Sequence, residues 1–357
     1  MTLTVDLNDL HARRILVAGG AGFVGSALCR QLLGHGAQIC IFDNLLHGSA
    51  DNVEGLGIEL IQGDACDPDA LAACMRSFEP ELVVNSIGDT FVTTAYRDTL
   101  RFLRNNVEAT HNLLRSAVRG GVHRILHLSS TEVYDAAGAG ALDESAALSP
   151  VNSYAVTKLA ADRLCATMSI ESGVPVVIAR LFNCYGPRET HAYVIPEIIQ
   201  QLHEGNRIHL GALHAARDFT FVDDTARALC ALLVADTAPG TVFNVGSGRA
   251  YTVEELVATL ARIMRPEGIT LASDERRLRV CEIDRFLCDN RRLHQLTGWQ
   301  PEFFLADGLK KTVEWFEQNG HRWPWKHAHI ERVRDDAVVG VGESRAARAR
   351  LEPPHCC

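Results

Sequence analysis

RILVAGGAGFVGS, residues 14–26, is the stretch of this 357-residue chain that decides its fold. A short apolar strand runs into three spaced glycines, and a helical segment follows them. Gly19 permits a tight turn, Gly22 lets the backbone approach a pyrophosphate, and Gly25 allows close helix packing. The helix also opens with unpaired N–H groups for the anion, beside Phe23 and Val24. The pattern predicts a dinucleotide-binding strand–turn–helix with these five residues at the cofactor.

Further apolar runs repeat this strand–helix rhythm. The predicted strands that follow are 38–42, 58–61, 81–85, 124–128, 175–181 and 241–248, and the predicted helices are 26–36, 99–121, 152–173 and 253–264. Because the strands lack inside–outside alternation, we expect helices to cover both faces of the sheet. The sequence therefore predicts an α/β fold, a doubly wound parallel sheet (Rossmann) with a smaller C-terminal substrate-binding lobe.

The alternation of strand and helix patterns becomes irregular near residue 186, where proline, histidine and arginine interrupt it. We predict a Rossmann domain over 12–185 to which 218–248 return, and a substrate-binding lobe made of 186–217 and 249–320. Residues 327–357 mix charge with alanine and glycine and have no periodicity, which predicts a mobile tail.

An acidic residue stands where the second predicted strand ends. A carboxylate at Asp43 would accept hydrogen bonds from an adenosine ribose and repel a 2′-phosphate, which favours NAD over NADP. We place its neighbour Asn44 at the cofactor too, with Asp64 and Ala65 after the third strand, where they would meet the adenine. Both aspartates could instead be simple turn formers.

Two motifs further along suggest proton transfer: SSTEVY from residue 129, and SYAVTK from residue 153. Tyr154 and Lys158 are four apart on a predicted helix, so the ammonium can hold the phenol's pKa below its usual value of about 10. Ser130 ends a strand, where side chains line the ligand crevice. The alternative is an ordinary surface tyrosine with a lysine one turn away.

Composition excludes several classes. A net charge of −9 and a pI near 5.9 argue against a positively charged surface that would bind nucleic acid. The apolar runs are too short to cross a membrane and the start lacks a secretory signal, so we expect a cytoplasmic protein. The 11 cysteines form no CxxC pair, and we interpret them as mostly buried reduced thiols. No histidine motif has metal-ligand spacing, so no metal is predicted.

Five motifs in order resemble the extended short-chain dehydrogenase/reductase family of nucleotide-sugar enzymes. They are AGGAGFVG, Asp43, SSTEVY, YAVTK and RLFNCYGPR at 180–188, and the resemblance covers roughly residues 12–317. It implies that Tyr154 is the base that takes a sugar C4 hydroxyl proton, that Ser130 binds the same oxygen, and that Lys158 binds the nicotinamide ribose. It also implies NAD as cofactor and a nucleotide-diphosphate sugar as substrate.

Glu132 and Thr131 bear on which reaction follows the oxidation at C4. Glutamate at the position of Glu132 resembles 4,6-dehydratases and uronate decarboxylases, whereas simple 4-epimerases usually have a small or hydroxyl residue there. A dehydratase would use Glu132 to remove the C5 proton. The best-known dTDP-glucose dehydratases have an aspartate where this chain has Thr131, so the leaving hydroxyl would be protonated by Glu132, or through Thr131 or water. Glu132 could alternatively be structural.

The C-terminal half is similar to bacterial 4,6-dehydratases of legionaminic-acid-type pathways, and the chain also resembles GDP-mannose dehydratases. Thr90 is a candidate sugar contact, and the resemblance places Asn183, Arg217 and Arg277 at the substrate diphosphate, to which guanidinium groups are suited. Arg188 or Arg277 would hold the carboxylate of a uronate. Asp89 departs from the family pattern and would bring a carboxylate near the nicotinamide or sugar.

We predict a nucleotide-sugar 4,6-dehydratase. A UDP-glucuronate-type decarboxylase or a 4-epimerase would share Ser130, Tyr154 and Lys158, and a non-catalytic NAD-binding protein of the same fold is a third possibility. By resemblance, the helices 99–121 and 152–173 would form a homodimer face, although their apolar residues could equally pack on the sheet.

Overall fold

A computed structural model of the chain describes residues 5–320 except 96, 137, 139 and 279–282. The predicted tail, 327–357, lies outside the described residues. The strands are β1 Arg14–Ala18, β2 Gln38–Asp43, β3 Glu59–Gln62, β4 Leu82–Asn85, β5 Arg124–Ser130, β6 Val176–Leu181, β7 Asn183–Tyr185, β8 Arg207–Leu210, β9 Ala216–Phe221, β10 Val242–Val245, β11 Ala250–Thr252 and β12 Thr270–Ser273. The helices are α1 Phe23–Gly34, α2 Pro68–Phe78, α3 Val92–Ala95, α4 Thr99–Leu103, α5 Ala109–Arg119, α6 Ser153–Ser172, α7 Val194–Glu204, α8 Val222–Val234, α9 Val253–Met264, α10 Arg291–Thr297 and α11 Leu305–Gln318.

Seven parallel strands form the main sheet, in the order β10-β6-β5-β4-β1-β2-β3. Ile15 of β1 lies between Ile39 of β2 and Leu82 of β4. The chain first moves outward through β2 and β3, then returns past β1 to β4. That reversal opens a crevice at the carboxyl ends of β1 and β4, where ligands of doubly wound sheets bind.

Both faces of the sheet are covered, as the strand composition predicted. Ile15 and Val17 pack in a core with Leu28 of α1 and Leu229 of α8. The alternate residue Leu16 packs on the opposite face in a second core, with Leu71 of α2, Leu113 of α5 and Cys165 of α6. Each such buried aliphatic side chain contributes roughly 1.5–3 kcal/mol. The predicted doubly wound α/β fold is confirmed.

A separate core lies in the second half of the chain, where the sequence suggested mostly irregular structure. β7, β9 and β11 form one small sheet, and β8 pairs with β12. Helices α7, α9 and α11 pack against these strands around Ile198, Leu256 and Leu309. The strands have only three to six residues, which is too short for a clear periodic signal.

One predicted helix is interrupted. Residues 99–121 were expected to be continuous, but a π-helical turn at Arg104–Glu108 separates α4 from α5. The turn carries Asn106 inward, where its side chain binds both the backbone N–H (2.7 Å) and the carbonyl (3.0 Å) of Asp89. In the described part of the chain, no helix has the length and apolar character needed to span a membrane.

Candidate active site

Two connected clefts open at the carboxyl ends of the central strands. The larger, about 430 Å³, extends from the glycine loop to the small sheet of β7, β9 and β11, and the smaller, about 80 Å³, lies beside β2. Gly22, His47, Ser86, Ile87 and Gly88 line both of them. A long ligand could therefore occupy one continuous groove.

The glycines of the loop before α1 have no side chains, so the backbone at the start of this helix is open to a ligand. Gly19 has a φ of +84°, and a side chain there would collide with the backbone of Ser86. Gly22 faces the clefts, and Phe23 and Val24 line the larger one. Gly25 lines neither, because its missing side chain makes room for the Gly19 carbonyl. The loop thus fits a pyrophosphate against a helix N-terminus, with Gly25 serving packing alone.

The predicted adenosine side is the smaller cleft, which Asp43, Asn44, Asp64 and Ala65 line. The Asp43 carboxylate accepts hydrogen bonds from the N–H groups of Ala21 (2.9 Å) and Leu45 (2.8 Å). Burial raises the pKa of Asp43, against the effect of these two bonds. The carboxylate therefore ties the glycine loop to the end of β2 as well as lining the cleft.

Tyr154 and Lys158 lie in the larger cleft on α6, both more than nine-tenths buried. The Lys158 ammonium donates to the carbonyl of Leu128 at 2.7 Å, and burial lowers its pKa to about 8. Burial also raises the pKa of Tyr154, and only the Ser130 hydroxyl opposes that increase. The expected lowering of the phenol pKa by Lys158 is not found in this structure, because burial raises that pKa more than the Ser130 hydroxyl lowers it.

Glu132 is linked to the helix that carries Tyr154. Ser130 ends β5, Thr131 and Glu132 follow it in a short 3-10 turn, and all three line the larger cleft. The side chain of Asn152 caps α6 by accepting from Ala155 N–H at 2.8 Å, and its amide donates to Glu132 Oε2 at 2.7 Å. One asparagine, which the sequence did not single out, thus fixes the carboxylate relative to α6.

Four of the predicted substrate residues line the larger cleft: Thr90, Asn183, Arg217 and Arg277. Arg277 pairs with Glu197 at 2.8 Å, and the Arg217 guanidinium lies over the ring of Phe286. The structure brings them together with Glu132 and Tyr154 in a single groove.

Arg188 does not join them, and the prediction for this residue was wrong. It follows Gly186 and Pro187 in a sharp turn, and its own φ is +69°. This backbone turn directs the guanidinium over the ring of Trp315, 5.7 Å from its centre, and Asp223 interacts with its charge. Arg188 is therefore held against Trp315 of α11, at the separate core in the second half of the chain, and does not line the larger cleft.

The interpretation of Asp89 also changes. Its side chain is fully buried and lines neither cleft. Arg101 Nε donates to it at 2.7 Å, and His47 Nε2 lies 2.9 Å from the other oxygen. These contacts hold the pKa of Asp89 below its usual value despite burial. The carboxylate orients His47, which itself lines both clefts.

The loop between β7 and α7 adds four residues to the larger cleft: Glu189, Thr190, His191 and Tyr193. The Tyr193 hydroxyl donates to Thr90 at 2.8 Å, which links this loop to the end of β4. Glu189 is 4% exposed, and burial raises its pKa to about 8. Thr190 and His191 donate their N–H groups to it. The stretch RETHAY has no periodic signal, although its carboxyl beside YGP was a visible clue.

We expect Glu189→Gln to stabilise the protein more at pH 7.5 than at pH 5.5. The folded pKa is raised above the unfolded value of about 4.3, so the unfolded state loses its proton first as pH rises. The stability of the wild type therefore falls between about pH 4.3 and pH 8, by on the order of 4 kcal/mol from this group. Chemical denaturation at the two pH values measures the difference. Glu302→Gln, at an exposed carboxylate, is the control; an equal gain at both pH values would contradict the prediction.

With this geometry established, comparison with known families gives a clear assignment. The sequence profile of the NAD dependent epimerase/dehydratase family matches residues 15–246. The chain belongs to this family. NAD is its cofactor, and the bare glycine loop and the Asp43 carboxylate fit that ligand.

Individual relatives are similar over most of the chain. A probable dTDP-glucose 4,6-dehydratase of Sinorhizobium fredii is 31% identical over 335 residues, which cover 87% of this chain and 94% of the relative. A GDP-6-deoxy-D-mannose reductase of Pseudomonas aeruginosa is 35% identical over 263 residues, 71% of this chain and 86% of the relative. The solved DesIV (dTDP-glucose 4,6-dehydratase) of Streptomyces venezuelae, with NAD and TYD bound, has a TM-score of 0.80 at 29% identity, covering 87% of this chain and 98% of its own.

Proposed function

We propose that this protein is a nucleotide-sugar 4,6-dehydratase that acts through a 4-keto intermediate. The observation that carries the proposal is the position of Glu132, which shares the cleft with Tyr154 and Ser130 and is held there by Asn152. C4 oxidation needs only the tyrosine, whereas loss of water across C5 and C6 needs a second acid/base. The two similar dehydratases described above support this choice.

Each residue has a defined task in this proposal. The glycine loop and Asp43 would hold NAD, which would supply a reversible hydride acceptor beside sugar C4 and C6. Tyr154 takes the proton of the C4 hydroxyl while Ser130 hydrogen-bonds the same oxygen, and Lys158 places a positive charge next to them. Glu132 removes the C5 proton, which the C4 carbonyl makes acidic, and delivers it to the departing C6 hydroxyl as water forms. A solvent proton completes C5, so the net change is the loss of one water.

Arg217 and Arg277 are the proposed diphosphate contacts. Both line the larger cleft, and guanidinium groups bind phosphate oxygens in pairs. Arg277 already pairs with Glu197, so phosphate binding would exchange one anionic partner for another. Asn183 and Thr90, which line the same cleft, complete the proposed substrate contacts.

Incubation with dTDP-, UDP-, GDP- and CDP-sugars, followed by mass spectrometry, tests the function. We expect a product 18 mass units lighter than one hexose substrate, with a 4-keto-6-deoxy sugar. Loss of carbon dioxide from a uronate would support the decarboxylase instead, and an unchanged mass with a new configuration at C4 would support the epimerase. If the NAD-loaded protein converts none of the sugar nucleotides, the result would support a non-catalytic NAD-binding protein.

We also propose a homodimer formed through α4 and α6. Leu100 is 73% exposed and Val156 is 49% exposed on these two packed helices, although both are large apolar side chains. Burying such a surface against a second copy would gain free energy from the hydrophobic effect. Light scattering of the purified protein measures its mass directly, and a monomer at micromolar concentration would contradict this proposal.

A further inference from the structure

A buried carboxylate lies directly beyond the catalytic pair on α6. Asp162 follows Lys158 by four residues, so the two side chains share one face of the helix. Asp162 is 2% exposed and lines neither cleft. It therefore sits behind Lys158, on the side away from the substrate groove.

The carboxylate is held from the sheet. Arg180 of β6, 3% exposed, places its Nε 3.0 Å from Asp162 Oδ2. His127 of β5 lies on the other side, with its Nε2 3.7 Å from Oδ1. Asn85 of β4 approaches His127 Nδ1 at 3.0 Å, and an imidazole that accepts at Nδ1 carries its proton on Nε2, toward Asp162. Asp162 thus lies between Arg180 of β6, which donates to it, and His127 of β5, which Asn85 of β4 contacts from behind.

We infer that Asp162 is a positioning residue that keeps the Lys158 ammonium charged inside the protein, while Arg180 holds the carboxylate in place. Burying an ammonium without a compensating charge costs several kcal/mol. Lys158 is 4% exposed, and its ammonium donates to the neutral carbonyl of Leu128. Asp162 supplies the negative charge that this carbonyl lacks.

The electrostatics agree with this arrangement. Burial lowers the pKa of Lys158, and Asp162 is the largest influence that raises it again. Burial raises the pKa of Asp162 itself, whereas Arg180, Ser129 and Lys158 each lower it. The groups that influence or face Lys158 and Asp162 are Tyr154 and Cys165 on α6, His127 and Ser129 on β5, and Arg180 on β6. Cys165 also raises the pKa of Lys158, but less than Asp162 does.

The lysine content of the chain makes a direct test possible. The sequence contains only four lysines, at positions 158, 310, 311 and 326. In protein labelled with ¹³C at the lysine ε carbon, NMR would therefore show four signals, and Lys158 is identified by its loss in Lys158→Met. We expect this signal to titrate near pH 8 in the wild type. In Asp162→Asn its midpoint should fall by about one unit or more, the usual effect of removing one nearby buried charge.

Asp218→Asn is the matched control, because Asp218 is equally buried and hydrogen-bonded but lies in β9. It should lower the unfolding temperature and leave the Lys158 midpoint unchanged. Asp162→Glu should restore the midpoint, and Asp162→Ala provides a second neutral variant if asparagine prevents folding. An unchanged Lys158 midpoint in a folded, neutral Asp162 variant would overturn the inference.

The inference rests on the proposed role of Lys158, yet the titration needs no substrate and no turnover. If the sugar panel identifies an epimerase or decarboxylase, the lysine measurement still stands. If the Lys158 midpoint does not move, the dehydratase proposal is unaffected, since it depends on Glu132.

Discussion

Tyr154→Phe is expected to lower kcat by roughly 10²–10⁴-fold, the usual contribution of a positioned acid/base group. The ring is 7% exposed and packs edge-on against Phe102, so phenylalanine preserves the packing and removes only the hydroxyl. NAD binding, measured by calorimetry, should change little. Steady-state turnover of dTDP-glucose, or of the sugar nucleotide found in the panel, measures the loss.

Tyr134→Phe is the matched control for this experiment. Tyr134 ends the SSTEVY motif and is also buried, but its hydroxyl donates to Asn244 at 2.7 Å and it does not line the cleft. We expect lower stability, by about 1 kcal/mol, with turnover within a factor of a few. Equal turnover of the Tyr154→Phe variant and the wild type would refute a catalytic role for the phenol.

Glu132→Gln should separate the two halves of the reaction. The amide keeps the size of the side chain and can still accept from Asn152, so the site should retain its shape. Without the carboxylate, removal of the C5 proton should slow by roughly 10²–10⁴-fold while C4 oxidation continues. In deuterated water we expect neither 6-deoxy product nor deuterium at C5, whereas borohydride quenching traps a 4-keto sugar.

Glu144→Gln controls for the loss of a partly buried carboxylate near the same sheet edge. Glu144 accepts the N–H of Asn244 at 2.8 Å and is absent from the cleft lining. Its replacement should leave the product and its deuterium content unchanged. Release of water at the normal rate by Glu132→Gln would remove the case for dehydration through this residue, and attention would turn to Glu189.

Much of the main sheet could be predicted because its signals are local. RILVA matches β1 residue for residue, and the helix predicted at 253–264 has the same bounds as α9. In the second half of the chain, three-residue strands such as β7 and β11 depend on partners far away in sequence. A short segment has no period of its own, so only the assembled fold reveals it.

The candidate site, too, has residues that the sequence could predict and features that it could not. Ser130, Tyr154 and Lys158 follow from strand-end position and helical spacing, and the structure places them in one cleft. The side-chain direction of Arg188 depends on a left-handed turn, and the pKa of Tyr154 depends on burial. Direction and desolvation are properties of the packed molecule, so residue type and spacing alone could not provide them.

The π turn at Arg104–Glu108 makes the length of this helical segment critical. A π turn holds one residue more than an α turn, so it accommodates an extra residue while the helix on either side keeps its facing. The extra residue lets Asn106 reach the backbone of Asp89 while Leu113 stays in the core. Deleting one residue from this turn would let a regular helix form with Leu113 still in the core, and the bonds of Asn106 to Asp89 would be lost.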